Sequence, residues 1–203
     1  MSRVPNEEAD LELVEELVFS GRGLVLERFS HAETVAGRTP DYRILRNGAV
    51  VAFSEVKSPR DDWLDNQIEL VPAGAIAGGA RADPTFNRIA RHVEKAASQF
   101  DAVNADRAVP NILVFVNHAD GTGFRDLRET LTGMFHAVTR ERFPTVRHIS
   151  EGRIGEARTR IDLYVWIDRK TRRIQGYLFN ELAPEHVEGV CDLLGFDSRS
   201  IRR

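Results

Sequence analysis

The sequence predicts an α/β protein in which a mixed β-sheet is flanked by helices, and three observations predict it. Apolar residues recur at helical spacing in four separate stretches, and two pairs of short apolar runs read as hairpins. Residues Ile112 to Val116 are continuously apolar, as in a strand covered on both faces. With 203 residues, 42% hydrophobic and 29% charged, the chain can bury one sizeable core, so a single domain over 1–203 is expected.

In chain order, residues 6–20 place Glu7, Leu11, Val14 and Val18 on one helical face, and Gly21 and Gly23 then stop the helix. Leu24 to Phe29 reads as a strand. Asp41 to Arg46 and Val50 to Lys57 read as two more, joined through Asn47-Gly48, a strong hairpin signal. Residues 61–82 show little periodicity, and Pro72 to Ala80 reads as a loop whose glycines lack the Gly-Lys-Ser/Thr ending of a phosphate cradle. Asp83 as N-cap and Pro84 as first helical residue open a helix to about Phe100, with Ile89, Val93, Ala96, Ala97 and Phe100 inward. Beyond the strand at 112–116, a turn at 120–123 precedes a helix over 124–138 carried by Leu127, Leu131, Met134 and Phe135. A hairpin over 161–167 and 174–179 and a helix over 184–194, ended by Gly195, complete the chain.

Composition narrows the function classes. The single cysteine, Cys191, excludes an internal disulfide, a cysteine-based zinc site and a Cys-x-x-Cys redox pair, and suits a reducing, cytoplasmic setting. Neither a basic segment followed by an apolar one at the N-terminus nor a run of 18 apolar residues occurs, so secretion and a membrane partner are not expected. The formal charge of −3 argues against a generic nucleic-acid glue, whose affinity comes from many cationic contacts. Residues 1–20 hold six acids against Arg3, however, so the rest carries a net +2 that can still present a basic face. Of the 28 basic residues only Lys57, Lys95 and Lys170 are lysine, and each invites a reason.

Chemistry concentrates in Pro40-Asp41 and Glu55-Val56-Lys57. Side chains two apart on a strand share a face about 7 Å apart, so Glu55 and Lys57 look out together. Asp41 joins them only if it sits opposite Glu55, which fits a three-residue connection Asn47-Gly48-Ala49 with a bulge better than a strict two-residue turn. That register pairs Asp41, Arg43 and Leu45 with Glu55, Phe53 and Val51. Two converging carboxylates suit a hard, oxygen-seeking cation such as Mg²⁺ or Mn²⁺, and a neighbouring lysine can position or deprotonate water or stabilise charge on phosphorus. A solvent-facing salt bridge on an edge hairpin is the bland alternative.

At these residues the sequence resembles the PD-(D/E)XK nuclease superfamily. The resemblance covers residues 6–117 and implies a restriction-endonuclease-like core of a helix, three strands, a helix and a strand. Residues 118–203 would then form a C-terminal extension of helix, hairpin and helix. It also implies that Asp41 and Glu55 are metal ligands with the Val56 carbonyl as a third, that Lys57 is the catalytic lysine, and that Mg²⁺ or Mn²⁺ is the cofactor. The implied activity is hydrolysis of phosphodiester bonds in nucleic acid, DNA above all, with a homodimer as one way to cut two strands. A noncatalytic module of the same fold that binds nucleic acid or protein is the alternative.

Other signals leave two readings each. Members of the superfamily often add an acid from the first helix; Glu7, in line with Leu11, Val14 and Val18, and Glu27 on the first strand are the candidates, against a plain solvated surface. Arg88, His92, Lys95 and Gln99 form one polar helical stripe, either a substrate-phosphate grip or a solvated face. Asn117 and His118 either approach substrate or cap a strand. Trp63 either stacks on a base or anchors a loop. Arg169, Lys170, Arg172 and Arg173 either grip phosphates or decorate a turn.

Overall fold

The computed structural model describes residues 7–59, 72, 84–119, 121–136, 139, 141–144, 148–180 and 186–196. Helix α1 (Glu7–Val14) widens into a π turn, Glu15–Phe19, and Gly21 and Gly23, at φ +74° and +65°, turn the chain into strand β1 (Val25–Arg28). A short helix α2 (His31–Ala36), absent from the sequence reading, separates β1 from β2 (Tyr42–Arg46) and β3 (Ala49–Lys57). Helix α3 (Pro84–Val103) leads to β4 (Asn111–Asn117). The expected N-cap Asp83, the loop signals around 61–82 apart from Pro72, Trp63 and the start of the turn at 120 lie outside the described residues.

The C-terminal third is richer than the expected helix, hairpin and helix. Helix α4 (Phe124–Thr132) stops short of the expected 138 because Gly133 adopts φ +66° and caps it, and β5 (Met134–His136) follows, paired with β6 (Arg142–Pro144). Helix α5 (His148–Thr159), also unforeseen, precedes β7 (Leu163–Asp168) and β8 (Arg173–Phe179), and α6 (Val187–Leu194) ends at Gly195.

β1, β2, β3, β4, β7 and β8 form one open mixed sheet in that order. The inner pairs β3–β4 and β4–β7 are parallel and the outer pairs antiparallel, so the sheet of the N-terminal half continues into the C-terminal hairpin. β4 alternates its side chains between two cores. Ile112, Val114 and Val116 join Leu13, Val14, Val18 and Leu193 on one face. Leu113 and Phe115 join Ile89, Val93, Phe100, Leu127 and Trp166 on the other, beneath α3 and α4. This double cover explains why β4 reads as an unbroken apolar run. No helix among the described residues is long and apolar enough to cross a membrane.

Candidate active site

The β2–β3 hairpin reaches the expected opposition by a different route. Asn47 and Gly48 take φ +54° and +80°, a strict two-residue turn, and Leu45 pairs with Val50 rather than Val51. Ile44 then pairs with Ala52, so Val51 is an extra residue in β3, a bulge four to six residues short of the site. A ladder running regularly from the turn would set Asp41 against Ser54, whose side chain points to the other face. The extra residue restores the pairs Arg43 with Phe53 and Tyr42 with Ser54, and one step further Asp41 stands across from Glu55.

Two reciprocal hydrogen bonds close that opposition. The Asp41 N–H donates to Glu55 Oε2 at 3.0 Å, and the Val56 N–H donates to Asp41 Oδ2 at 2.7 Å. Since the N–H and C=O of one strand residue leave on the same side, the Val56 carbonyl also projects towards Asp41. Lys57 Nζ donates to Glu55 Oε1 and, at 2.9 Å, to Gln99 Oε1, while Gln99 Nε2 donates to the Thr39 carbonyl at 2.7 Å. An ammonium only donates and a carbonyl only accepts, so the orientation of the Gln99 amide is fixed by its partners. The third N–H of Lys57 has no partner among the described residues.

Burial sets the electrostatics. Glu55 is 2% and Lys57 7% exposed. Burial, and then the adjacent Asp41 charge, push the Glu55 carboxyl up to about 7 against the pull of Lys57. Burial raises Asp41 as well, opposed by the Val56 N–H and Lys57. Two carboxylates that resist joint ionisation in a partly dry pocket are a donor set that a divalent cation relieves, and Mg²⁺ is commonly held by one or two carboxylates plus substrate phosphate. Among the described residues no three His, Cys, Asp or Glu side chains form a ready cation cage. The fit therefore rests on Asp41, Glu55 and the Val56 carbonyl.

These groups line a cavity of about 520 Å³. Of the polar stripe on α3, Lys95 and Gln99 line it; His92 and Arg88, one and two turns before Lys95, do not. His92 lies edge-on to Phe115, and burial, then Lys57, Arg88 and Lys95, hold its imidazole down at about 4, so it is neutral at pH 7. Of the two candidate third acids, Glu7 lines the cavity, whereas Glu27 pairs with Arg43 at 2.8 Å. Arg43 also binds Glu33 and lies 4.2 Å over the Phe29 ring, tying α2 along the cavity's rim, where Phe29 and Thr34 stand.

Sequence reasoning missed Asp10. It is 1% exposed and accepts from Ser58 Oγ at 2.6 Å, His118 Nε2 at 2.8 Å and Arg169 Nε at 3.1 Å. Burial alone would raise its pKa, but the bonds from His118 and Ser58 prevail and hold it below the usual carboxylate value. Asp10 thus knots α1 to the carboxyl ends of β3, β4 and β7, beside Lys57. Nothing in its polar surroundings in sequence signals burial. Asn117 folds onto its own loop, donating to the Ala119 and Thr122 carbonyls at 2.8 and 2.7 Å. The Arg169 to Arg173 cluster is split, with Arg169 on Asp10 and Arg172 on Glu16.

No protein-family model, curated protein or solved structure matches the chain.

Proposed function

We propose that the protein is a divalent-metal-dependent nuclease of the PD-(D/E)XK type, hydrolysing phosphodiester bonds in nucleic acid, with DNA as the first substrate to try. The observation that carries this reading is the convergence of Asp41 and Glu55 from adjacent strands on one face, with Lys57 hydrogen-bonded to Glu55. The order helix, strands, helix, strand over residues 7–117, with α2 inserted, supports it.

Asp41, Glu55 and the Val56 carbonyl would hold Mg²⁺ or Mn²⁺, which supplies neutralisation of the phosphate and of the departing oxygen when bound. Lys57, steadied by Glu55 and Gln99, keeps one N–H to orient the attacking water or to meet a phosphate oxygen. Gln99 fastens that ammonium to the β2 approach through Thr39, which fixes its position before substrate arrives. Lys95 at the cavity wall adds a cation for substrate phosphate.

Incubating the purified protein with plasmid and with single-stranded DNA in Mg²⁺ or Mn²⁺ tests the reading. Cleavage that is lost in Asp41→Ala and Lys57→Ala is expected; cleavage that survives both substitutions sinks it.

One observation favours a noncatalytic module instead: the carboxylates already accept hydrogen bonds from the chain's own Val56 and Asp41 N–H groups and from Lys57. Calorimetry separates the two readings, since a module of that kind shows no Mn²⁺ binding at millimolar metal in the presence of DNA.

A further inference from the structure

The bonds from Glu55 and Gln99 fix Lys57 at its tip only. A lysine carries a flexible four-carbon stem, so its ammonium is placed no better than the main chain from which that stem springs. That main chain lies at a strand end, since Lys57 with Phe115 is the last pair of the β3–β4 ladder. Strand ends without further bonds open at little cost. Here two bonds continue past the ladder. The His118 N–H donates to the Pro59 carbonyl at 3.3 Å, and Ser58 Oγ donates to Asp10 Oδ2 at 2.6 Å. Side chains alternate along extended chain, so where Lys57 turns towards Gln99 on α3, Ser58 turns towards Asp10 on α1.

The anchor for that hydroxyl is itself held on all sides. Asp10 is buried and stands one turn before Leu13 and Val14, which pack into the core between α1 and the sheet. Its remaining bonds, from His118 at 2.8 Å and Arg169 at 3.1 Å, reach the ends of β4 and β7, and the Arg169 N–H donates in turn to the Asn117 carbonyl at 3.0 Å. The strand ends beside the cavity are thus referred to a single carboxylate. Apolar residues of similar volume commonly replace a buried ion pair without loss of stability, so joining these ends does not by itself call for a charge. A carboxylate adds direction. It holds the Ser58 hydroxyl in one orientation on the cavity wall, next to Lys57.

We propose that Asp10 is a positioning residue for the chemistry of the cavity: through Ser58 it fixes the end of β3, and so the root of the Lys57 side chain, while Gln99 fixes the tip. The inference rests on the reading of Lys57 as the group that acts on the attacking water or on phosphate. A displacement of roughly 1 Å can cost about 10²-fold in rate where reacting groups must align, so a bond that never touches substrate can still govern turnover.

The test uses Ser58→Ala, which cuts the link but leaves His118 and Arg169 on Asp10, and Ser58→Thr, which keeps a hydroxyl, as the rescue. Steady-state cleavage of a labelled single-stranded oligonucleotide in Mg²⁺ separates kcat from KM. Nuclear magnetic resonance of ¹³Cε-labelled lysine reports on Lys57 without any catalysis, because the chain has only Lys57, Lys95 and Lys170 and the Lys57→Ala spectrum identifies the signal. In Ser58→Ala, kcat should fall about 10–100-fold with KM within about twofold, and the Lys57 signal should be displaced; both should return towards wild type in Ser58→Thr. In the Ser58→Ala background, Asp10→Asn should lower thermal stability yet leave kcat where it is, since its route to Lys57 is already gone. An unmoved Lys57 signal in Ser58→Ala, a rise in KM at constant kcat, a loss that Ser58→Thr does not restore, or a further fall in kcat with Asp10→Asn overturns the positioning role. If the wild-type protein cuts but Ser58→Ala alters neither kcat nor the signal, positioning fails and the nuclease reading stands. If the signal moves and returns as expected but nothing is cut, Asp10 still sets Lys57 and the nuclease reading fails.

Discussion

Asp41 and Glu55 hold each other reciprocally across the β2–β3 ladder: the backbone of the first donates to the carboxylate of the second, and the carboxylate of the first accepts from the residue following the second. Each acid is thus placed by main-chain geometry rather than by a freely rotating side chain, which favours preorganisation over adaptability. Substituting either should therefore cost more than one carboxylate's charge. Asp41→Asn keeps the acceptor for the Val56 N–H but loses the charge, so its far-ultraviolet circular dichroism should match wild type. Its Mn²⁺ affinity, measured by calorimetry, should fall at least tenfold.

Lys57→Ala removes the only side chain bonded to both Glu55 and Gln99 among the described residues. General acid–base or positioning groups of this kind are worth about 10²–10⁴-fold in rate. Single-turnover cleavage should fall in that range. Gln99→Ala, which releases the ammonium without removing it, should cost about 10–100-fold in kcat with little change in KM. Equal losses in the two variants would mean that the lysine acts only while held.

His92 adds an acid limb to stability. Its imidazole is held at about 4 by burial and by the cations Lys57, Arg88, Lys95 and Arg91, against an unfolded value near 6.5. At this site the unfolded chain binds more protons between pH 4 and 6.5, so the His92 contribution is full above about 6.5 and is lost as pH drops through that window, while Glu55, raised to about 7 in the folded chain, contributes in the opposite direction. His92→Gln should flatten this limb, retaining on the order of 2 kcal/mol at pH 4 relative to wild type in urea denaturation. An unchanged slope would show that the limb comes from other groups.

Asp10→Asn keeps shape but leaves His118 and Arg169 without their shared anion. Breaking a buried charge knot typically costs about 3–5 kcal/mol, and the partial exposure of its partners here argues for roughly 2–3. Thermal denaturation should show it, and a double-mutant cycle with His118→Gln should reveal a coupling of at least about 1 kcal/mol.

The bulge predicts opposite fates for two deletions. Removing Val51 makes the pairs Leu45 with Val50 and Ile44 with Ala52 consecutive, so Asp41 stays across from Glu55 and cleavage should remain within about threefold of wild type. Removing Leu45 shifts β2 by one residue, sets Asp41 against Ser54 and should abolish cleavage. Equal activity in the two deletions would refute the register argument.

Periodicity made the principal helices and most of the sheet strands legible, because they bury a stripe or a face: Leu11 and Val14 in α1 with Val18 in the π turn that follows, Val93 and Phe100 in α3, all of β4. The Asp41–Glu55 opposition was legible as a requirement, though not the bulge that meets it, since Val51 differs in no chemical way from its apolar neighbours. Helix α2 escaped because none of its residues is buried, yet Ser30 and Glu33 form a capping box that a search for Ser-x-x-Glu would have found. Helix α5 carries weak periodicity, and Ile154 is its buried anchor among the described side chains. Asp10 was unreadable for another reason: its partners lie 48, 108 and 159 residues away, a distance over which local pattern carries no signal.

The cavity's floor and its rim are fastened by different forces. Below, Glu55 and Lys57 are sealed among buried neighbours; above, the Arg43 contacts with Glu27 and Glu33 are partly open to solvent. Dissolved ions screen the second and scarcely reach the first. Raised ionic strength is therefore expected to loosen the ties of Arg43 to Glu27 and Glu33, and with them the hold on α2, before it disturbs the pair Glu55 and Lys57.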